Sequence, residues 1–268
     1  MNYYFPGFEP DVTERAQLHF IGGVLDLRQF DKILISVSGG KDSHAMLWFV
    51  RELADQQGVP RSKLIVLYAD TGMEWYNAGE HVKALCKAAG VELATVYPVR
   101  PMLKQMEWQI KNHGGTVGFP TPRCRYCTRK NKIAPMDSFT RNFTGKLLKV
   151  TGERWAESKA RSTYTEFVSI PRLNIRKRQV FGWRPMLAWS EADVWAKIRE
   201  TGVERHQCYD LGCSRLGCAG CIFSRDHELK IEMTNNPEIF EALDKLEMDS
   251  GFTMSMDGRR IRDRIKWK

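Results

Sequence analysis

Apolar runs bounded by turn residues recur at KILISVSG (32–39), KLIVLYADTG (63–72), ELATVYPV (92–99) and KLLKVTGERW (146–155). Between the first three, DSHAMLWFVRELADQ and WYNAGEHVKALCKAAG space their apolar positions at a helical period, with a glycine soon after each periodic stretch. This alternation predicts βαβ units and an α/β fold, an open twisted, mainly parallel sheet with helices on both faces. The pattern loosens from about residue 100 into the Gly/Pro-rich, basic NHGGTVGFPTPRCRYC, and again over SIPRLNIRKRQVFGWRP at 169–185. Further on, NPEIFEALDKLEMDSGF predicts a helix with apolar residues at 239, 240, 243 and 246. There is no internal repeat and no low-complexity tract.

Open parallel sheets bind ligands outside the carboxyl ends of their strands. SGGKDS, DTG and GERWAESKAR all fall at such ends, so candidate chemistry gathers there. Gly39-Gly40-Lys41-Asp42-Ser43 lacks the first glycine of a Walker A loop, G-x-x-x-x-G-K-[ST], and that reading fails. Two glycines still admit an anion close to backbone N–H groups, and the helix that follows turns its free N–H groups and dipole toward phosphate. Lys41 adds a point charge, and Ser36, Ser38 and Ser43 supply hydroxyls.

SVSGGKDS resembles the PP-loop of the ATP pyrophosphatases, a superfamily that includes phosphoadenylyl-sulfate reductases, tRNA thiolation enzymes and the ATPase of DNA phosphorothioation. The resemblance implies the adenine nucleotide alpha hydrolase-like fold and a loop that holds the pyrophosphate part of ATP. YADTGMEW, with Asp70, Thr71 and Gly72, is similar to the second-strand motif of the reductases, although Asp-Thr-Gly is also a plain turn. VTGERWAESKAR, with Gly152, Arg154, Glu157, Ser158 and Arg161, resembles a third family stretch, and two arginines there could neutralise an anionic intermediate. RPMLAWSEADVWAKI also matches a family pattern, but its structural reading is preferred: Ser190 caps a helix whose Val194 and Trp195 pack inward. These matches span residues 32 to about 225. The expected division is an N-terminal extension (1–30), a PP-loop nucleotide-binding domain (31–200), and a Cys-rich segment with a C-terminal helix packed on it (201–268).

Six of seven cysteines form two groups: Cys124 and Cys127, then Cys208, Cys213, Cys218 and Cys221. Two distant C-x-x-C motifs signal a metal, either zinc or an iron–sulfur cluster, since both accept four thiolates. The resemblance favours a 4Fe–4S cluster, because adenylyl-sulfate reductases and phosphorothioation ATPases carry one on cysteines in these two regions. CTRKNKIAP and SRLGCAGC look most like the phosphorothioation branch and its phage-borne relatives. Cys218 and Cys221 are the first ligand choices, Cys127 and Cys213 the next, with Cys124 and Cys208 as spares. Cys86, mid-helix, reads as core, and His206 and His227 beside the second group as structural. The reductases also use a nucleophilic cysteine in a C-terminal E-C-G type tail, and here no cysteine follows Cys221, which weighs against sulfonucleotide reduction.

A formal charge of +9, from 41 Lys and Arg against 32 Asp and Glu, suits a polyanionic partner or a phosphate-rich substrate. RLNIRKRQVFGW and the tail RRIRDRIKWK interleave cations with aromatics, a pattern that suits phosphate tracking with base stacking or a solvated charged face. With no apolar run of about 18 residues and no signal layout at the N-terminus, a cytoplasmic protein that crosses no membrane is expected. The leading expectation is an enzyme that adenylylates a substrate oxygen with ATP, releasing pyrophosphate, for sulfur incorporation into a nucleic acid such as DNA. Lys41, Asp42 and Arg154 would be catalytic, and Mg²⁺ would bridge the leaving group with help from Asp42. A cysteine desulfurase or other sulfur donor and partner modification subunits would complete the system. The alternatives are a phosphoadenylyl-sulfate or adenylyl-sulfate reductase, a tRNA thiolation enzyme, and an iron–sulfur or zinc nucleic-acid-binding module without turnover.

Overall fold

A computed structural model of the chain describes residues 17–113 and 118–266. Part of the expected N-terminal extension (1–16), part of the Gly-rich loop (114–117) and the last two residues of the basic tail lie outside the described residues.

A short antiparallel hairpin, β1 (Phe20–Ile21) and β2 (Val24–Leu25), precedes β3 (Lys32–Ser36), α1 (Lys41–Gln56), β4 (Leu64–Ala69), α2 (Ala78–Ala89) and β5 (Glu92–Val96). Next come α3 (Met102–Asn112) and a helical run made of Tyr126–Thr128, the π-helical Arg129–Ile133 and α4 (Ala134–Thr140). After these the chain forms β6 (Gly145–Val150), β7 (Phe167–Ser169), β8 (Arg178–Trp183), α5 (Glu191–Thr201), α6 (Asp226–Asn235), α7 (Pro237–Ser250) and α8 (Ile261–Arg264).

Six strands form one sheet in the order β5-β4-β3-β6-β8-β7. β3 pairs in parallel with β4 and β6, β6 pairs in parallel with β8, and β7 pairs antiparallel with β8. Helices flank this mainly parallel sheet, the α/β fold expected from the alternation. Every residue of β4 is buried, as are Ile33, Leu34 and Ile35 of β3, which is why these strands read as unbroken apolar runs.

The sequence pattern misses β7 and β8, and the reason is physical. Arg178 opens β8 as a buried cation whose guanidinium donates to the carbonyls of Leu173 (2.8 Å), Arg141 (3.0 Å) and Phe143 (3.4 Å), so its charge costs no unpaired donors. Phe181 and Trp183 are core residues, the latter donating its indole N–H to Glu166, and neither is a platform for bases. The tail's cations are also engaged: Arg259 and Arg264 pair with Asp226, and Arg260 and Arg262 with Asp244.

Contacts divide the chain into two compact units, the first comprising 1–68, 82–94 and 139–205, the second 69–81, 95–138 and 206–268. The first holds most of the sheet around Ile35, Leu47, Val66 and Leu148. The second has its own core, in which Trp75, Met106 and Tyr126 belong with Leu229 and Leu243.

Candidate functional site

In the first unit, β3 ends at Ser36 and the chain turns through Gly39, at φ +82°, into α1. That backbone conformation suits glycine, since a Cβ would strain it. Gly40 is the N-cap of α1 and makes no side-chain capping bond, so the first turn presents its N–H groups and the positive end of a 16-residue helix dipole. Ser43 braces the loop: its hydroxyl donates to the Gly40 carbonyl (2.9 Å) and accepts from the Ser38 N–H (3.2 Å).

Cations surround this helix start. Lys41 is only 8% exposed, with its ammonium 3.6 Å from Asp42 and 3.7 Å from Glu191. Arg154, reaching from the segment after β6, donates from Nε to Asp42 at 2.6 Å and from Nη1 to the Trp189 carbonyl at 3.4 Å. Gly152 packs close to the same turn, where a Cβ would stand 3.3 Å from the Asp42 carbonyl oxygen, a tight contact. Glu157 accepts from the Arg154 backbone N–H (2.7 Å) and pairs with Arg161. Ser190 caps α5 in a capping box with Asp193, as expected, and Glu191 of that first turn is the carboxylate facing Lys41. Among the expected nucleotide-contacting residues, the structure therefore gathers Lys41, Asp42, Gly152 and Arg154 at one helix start.

Asp70, Thr71 and Gly72 belong to the second unit. Asp70 accepts from the Gly72 N–H (3.0 Å), and Gly72 has φ +79°, a plain turn. Thr71 is fully buried and gives both its N–H (2.8 Å) and its hydroxyl (2.9 Å) to Glu74. Glu74 went unremarked in the sequence, yet its carboxylate also lies 3.5 Å from the Lys132 ammonium and 3.8 Å from the Cys218 sulfur. The nearby Cys218 sulfur and Glu74 hold Lys132 charged well above its ordinary range. Only the recurrence of a lone acid directly after DTG-Met could have drawn attention to it.

The cysteines fall into distinct environments. Cys86 is buried in the first core, where burial pushes its thiol up to about 12. Cys208 and Cys213 are buried in the second core, where burial pushes them to about 12 and about 11. His206, also buried, accepts from the Cys208 N–H and is pushed down to about 4 by desolvation, in keeping with a structural role. Cys124 is exposed, and Cys127, Cys218 and Cys221 are half-buried. Arg215 reaches the Cys221 sulfur (3.5 Å), and Arg125, between Cys124 and Cys127, stacks 5.3 Å from the Phe223 ring centroid. The two C-x-x-C segments are thus neighbours within the second unit. Among the described residues, no three Cys, His, Asp or Glu side chains converge as metal ligands.

Two carboxylates one turn apart on α6 shape the second cysteine segment. Glu228 accepts from the Ser214 N–H and hydroxyl (2.8 and 2.7 Å), and Glu232 accepts from the Gly220 N–H (3.0 Å) and the Ser224 hydroxyl (2.7 Å).

The phosphoadenosine phosphosulfate reductase domain family matches residues 32–223. An uncharacterized 37.8 kDa protein of Escherichia phage 186 is 26% identical over 76% of this chain and 71% of its own. The adenosine 5'-phosphosulfate reductase of Anoxybacillus flavithermus is 25% identical over 81% of this chain and 83% of its own. Among solved structures, phosphoadenylyl-sulfate reductase from Candida auris aligns with a TM-score of 0.49 at 16% identity, covering 73% of this chain and 85% of that one.

Burial raises the Glu232 carboxyl from 4.5 to about 7. The folded state then holds an extra proton between those values, so this group's contribution to stability falls as pH rises through that window, by on the order of 3 kcal/mol. Denaturant unfolding at about pH 5 and about pH 8 should show a smaller loss for Glu232→Gln than for the parent protein, and equal losses would contradict the assignment.

Proposed function

The chain belongs to the phosphoadenosine phosphosulfate reductase domain family, and from that premise we propose that it is an ATP pyrophosphatase, adenylylating a substrate oxygen for sulfur incorporation. Its family members are enzymes. The observation that carries the reading is the start of α1, where an N-terminus without a side-chain cap, the turn at Gly39 and the nearly buried cations Lys41 and Arg154 coincide. That arrangement fits a chain of phosphates better than a single ring or carboxylate, since several N–H donors and fixed charges act at once.

In the proposed reaction an acceptor oxygen bonds to the α-phosphorus of ATP as the bond to the bridging oxygen breaks. The electron pair leaves on pyrophosphate, and the loop N–H groups and Lys41 stabilise that developing charge. Asp42 works through position: bonded to Arg154 and close to Lys41, it holds both cations at the helix start. The same pairing makes Asp42 a poor ligand for Mg²⁺, because two cations already occupy its charge, and no step here depends on that ion. Sulfur from a separate donor then displaces AMP: the terminal sulfur of a cysteine desulfurase's persulfide bonds to phosphorus as AMP leaves, and a thiol reductant cleaves the remaining S–S bond, supplying the two electrons. The +9 charge favours a nucleic-acid phosphate as acceptor, with DNA phosphorothioation as the corresponding pathway.

A four-thiolate iron–sulfur cluster fits Cys124, Cys127, Cys218 and Cys221 better than a set containing Cys213. Cys124 is exposed and the other three are half-buried, on segments joined by the Arg125–Phe223 contact, whereas Cys213 is buried within the core. Such a group would supply thiophilic or redox chemistry to sulfur.

The direct test is pyrophosphate release from ATP by anaerobically purified protein. Lys41→Ala should lower the rate about 10²-fold or more. Absence of release, with thiol-dependent formation of sulfite from an adenylyl-sulfate, would select reduction instead. Metal analysis of the same preparation should find iron and acid-labile sulfide that Cys218→Ser and Cys221→Ser lose and Cys86→Ala keeps. Zinc in their place, or iron indifferent to these cysteines, would remove the cluster from the account.

A further inference from the structure

Of the two stretches whose composition suggested base stacking, the first has Phe181 and Trp183 in the core and the second has four arginines in ion pairs, yet a different surface of the second unit has the required chemistry. Two cations lie against the Trp108 ring, the Arg100 guanidinium 5.1 Å and the Lys130 ammonium 5.2 Å from its centroid. Phe223, 43% exposed, is flanked in the same way by Arg125 at 5.3 Å and Arg215 at 5.8 Å. The two assemblies are linked through the chain. Arg125 caps the helical run that carries Lys130, and the step of five positions from one to the other gives an axial rise of roughly 7 Å.

Charge points the same way. Residues 100–132 carry eight Lys and Arg against one acid, Glu107, whereas the 259–264 run is matched by Asp226, Asp244 and Asp257. Exposed rings and guanidinium planes are surfaces on which unpaired bases stack, and the surrounding cations can follow the phosphates. A duplex hides its base faces, and a polyanion without bases would use only the charges. An acidic protein has no planar bases to place on Trp108 and Phe223.

We infer that the surface formed by Arg100, Trp108, Arg125, Lys130, Arg215 and Phe223 binds single-stranded nucleic acid. It rests on the proposed reading in one respect, that the acceptor is a nucleic-acid phosphate. Arg125 sits inside the first C-x-x-C motif, and Arg215 and Phe223 bracket the second. A strand held here is therefore delivered to the accessible cysteines, where sulfur chemistry is expected.

Binding of a fluorescent single-stranded oligonucleotide, measured by anisotropy without ATP on the full chain, tests this separately from catalysis. Trp108→Ala and Phe223→Ala should each weaken binding by about tenfold or more. The charge reversals Arg125→Glu, at an exposed position, and Lys130→Glu, at a half-buried one, should weaken it and flatten its salt dependence, which covers the case in which Trp108→Ala fails to fold. Duplex of the same sequence and a heparin fragment should bind more weakly and respond little to the aromatic variants. Lys41→Ala should bind like the parent protein, so loss of pyrophosphate release and loss of nucleic-acid binding remain distinguishable. Equal binding of heparin and oligonucleotide, indifference to both aromatic substitutions, or preference for duplex would each overturn the assignment.

Discussion

The first unit is organised by the contact between Asp42, in the first turn of α1, and Arg154, in the segment after β6. A helix following a parallel strand necessarily starts at the carboxyl end of the sheet, where its N–H groups and dipole attract anions. Left alone, a carboxylate in that first turn would compete with an incoming phosphate. The 2.6 Å bond to Arg154 and the nearby Lys41, which also faces Glu191, offset that negative charge and make Asp42 the anchor of two cations. Breaking this pair would leave the nearly buried Arg154 charge uncompensated, and Gly152 packs closely against the same Asp42 backbone.

The second unit solves a different problem with the same means. Its loops carry the cysteines, and buried carboxylates hold them in shape. Glu74 gathers the Thr71 turn, while Glu228 and Glu232 accept from backbone and hydroxyl donors on either side of Cys218 and Cys221. Burial of acids is tolerated because each oxygen finds donors, and the remaining cost appears as the raised Glu232 carboxyl. The α1 start and the clustered cysteines thus belong to separate compact units interleaved along the chain.

Much of this was legible in the residues. Strands β3, β4, β5 and β6 follow apolar runs, and the Gly39-Gly40-Lys41 turn falls where a strand meets a helix, so period and punctuation agree. The capping box at Ser190 was legible for the same reason, as a local hydrogen-bond pattern written in adjacent residues. Strand β8 was not, because a buried arginine bonded to three carbonyls looks identical in sequence to one in solvent. The Asp partners of the C-terminal arginines, the stacks on Trp108 and Phe223, and the association of Trp75 and Met106 with Leu243 are all long-range. Periodicity carries no information about them. Composition correctly indicated an excess of positive charge but could not say which cations were already neutralised.

The account stands on attack at the α-phosphorus, and isotope position tests that most directly. In heavy-oxygen water with ATP and no other acceptor, water takes the place of the substrate oxygen. The geometry proposed for the α1 start then predicts one heavy oxygen in AMP and none in pyrophosphate. Label in pyrophosphate or in free phosphate would place the attack at the β- or γ-phosphorus and contradict the central claim.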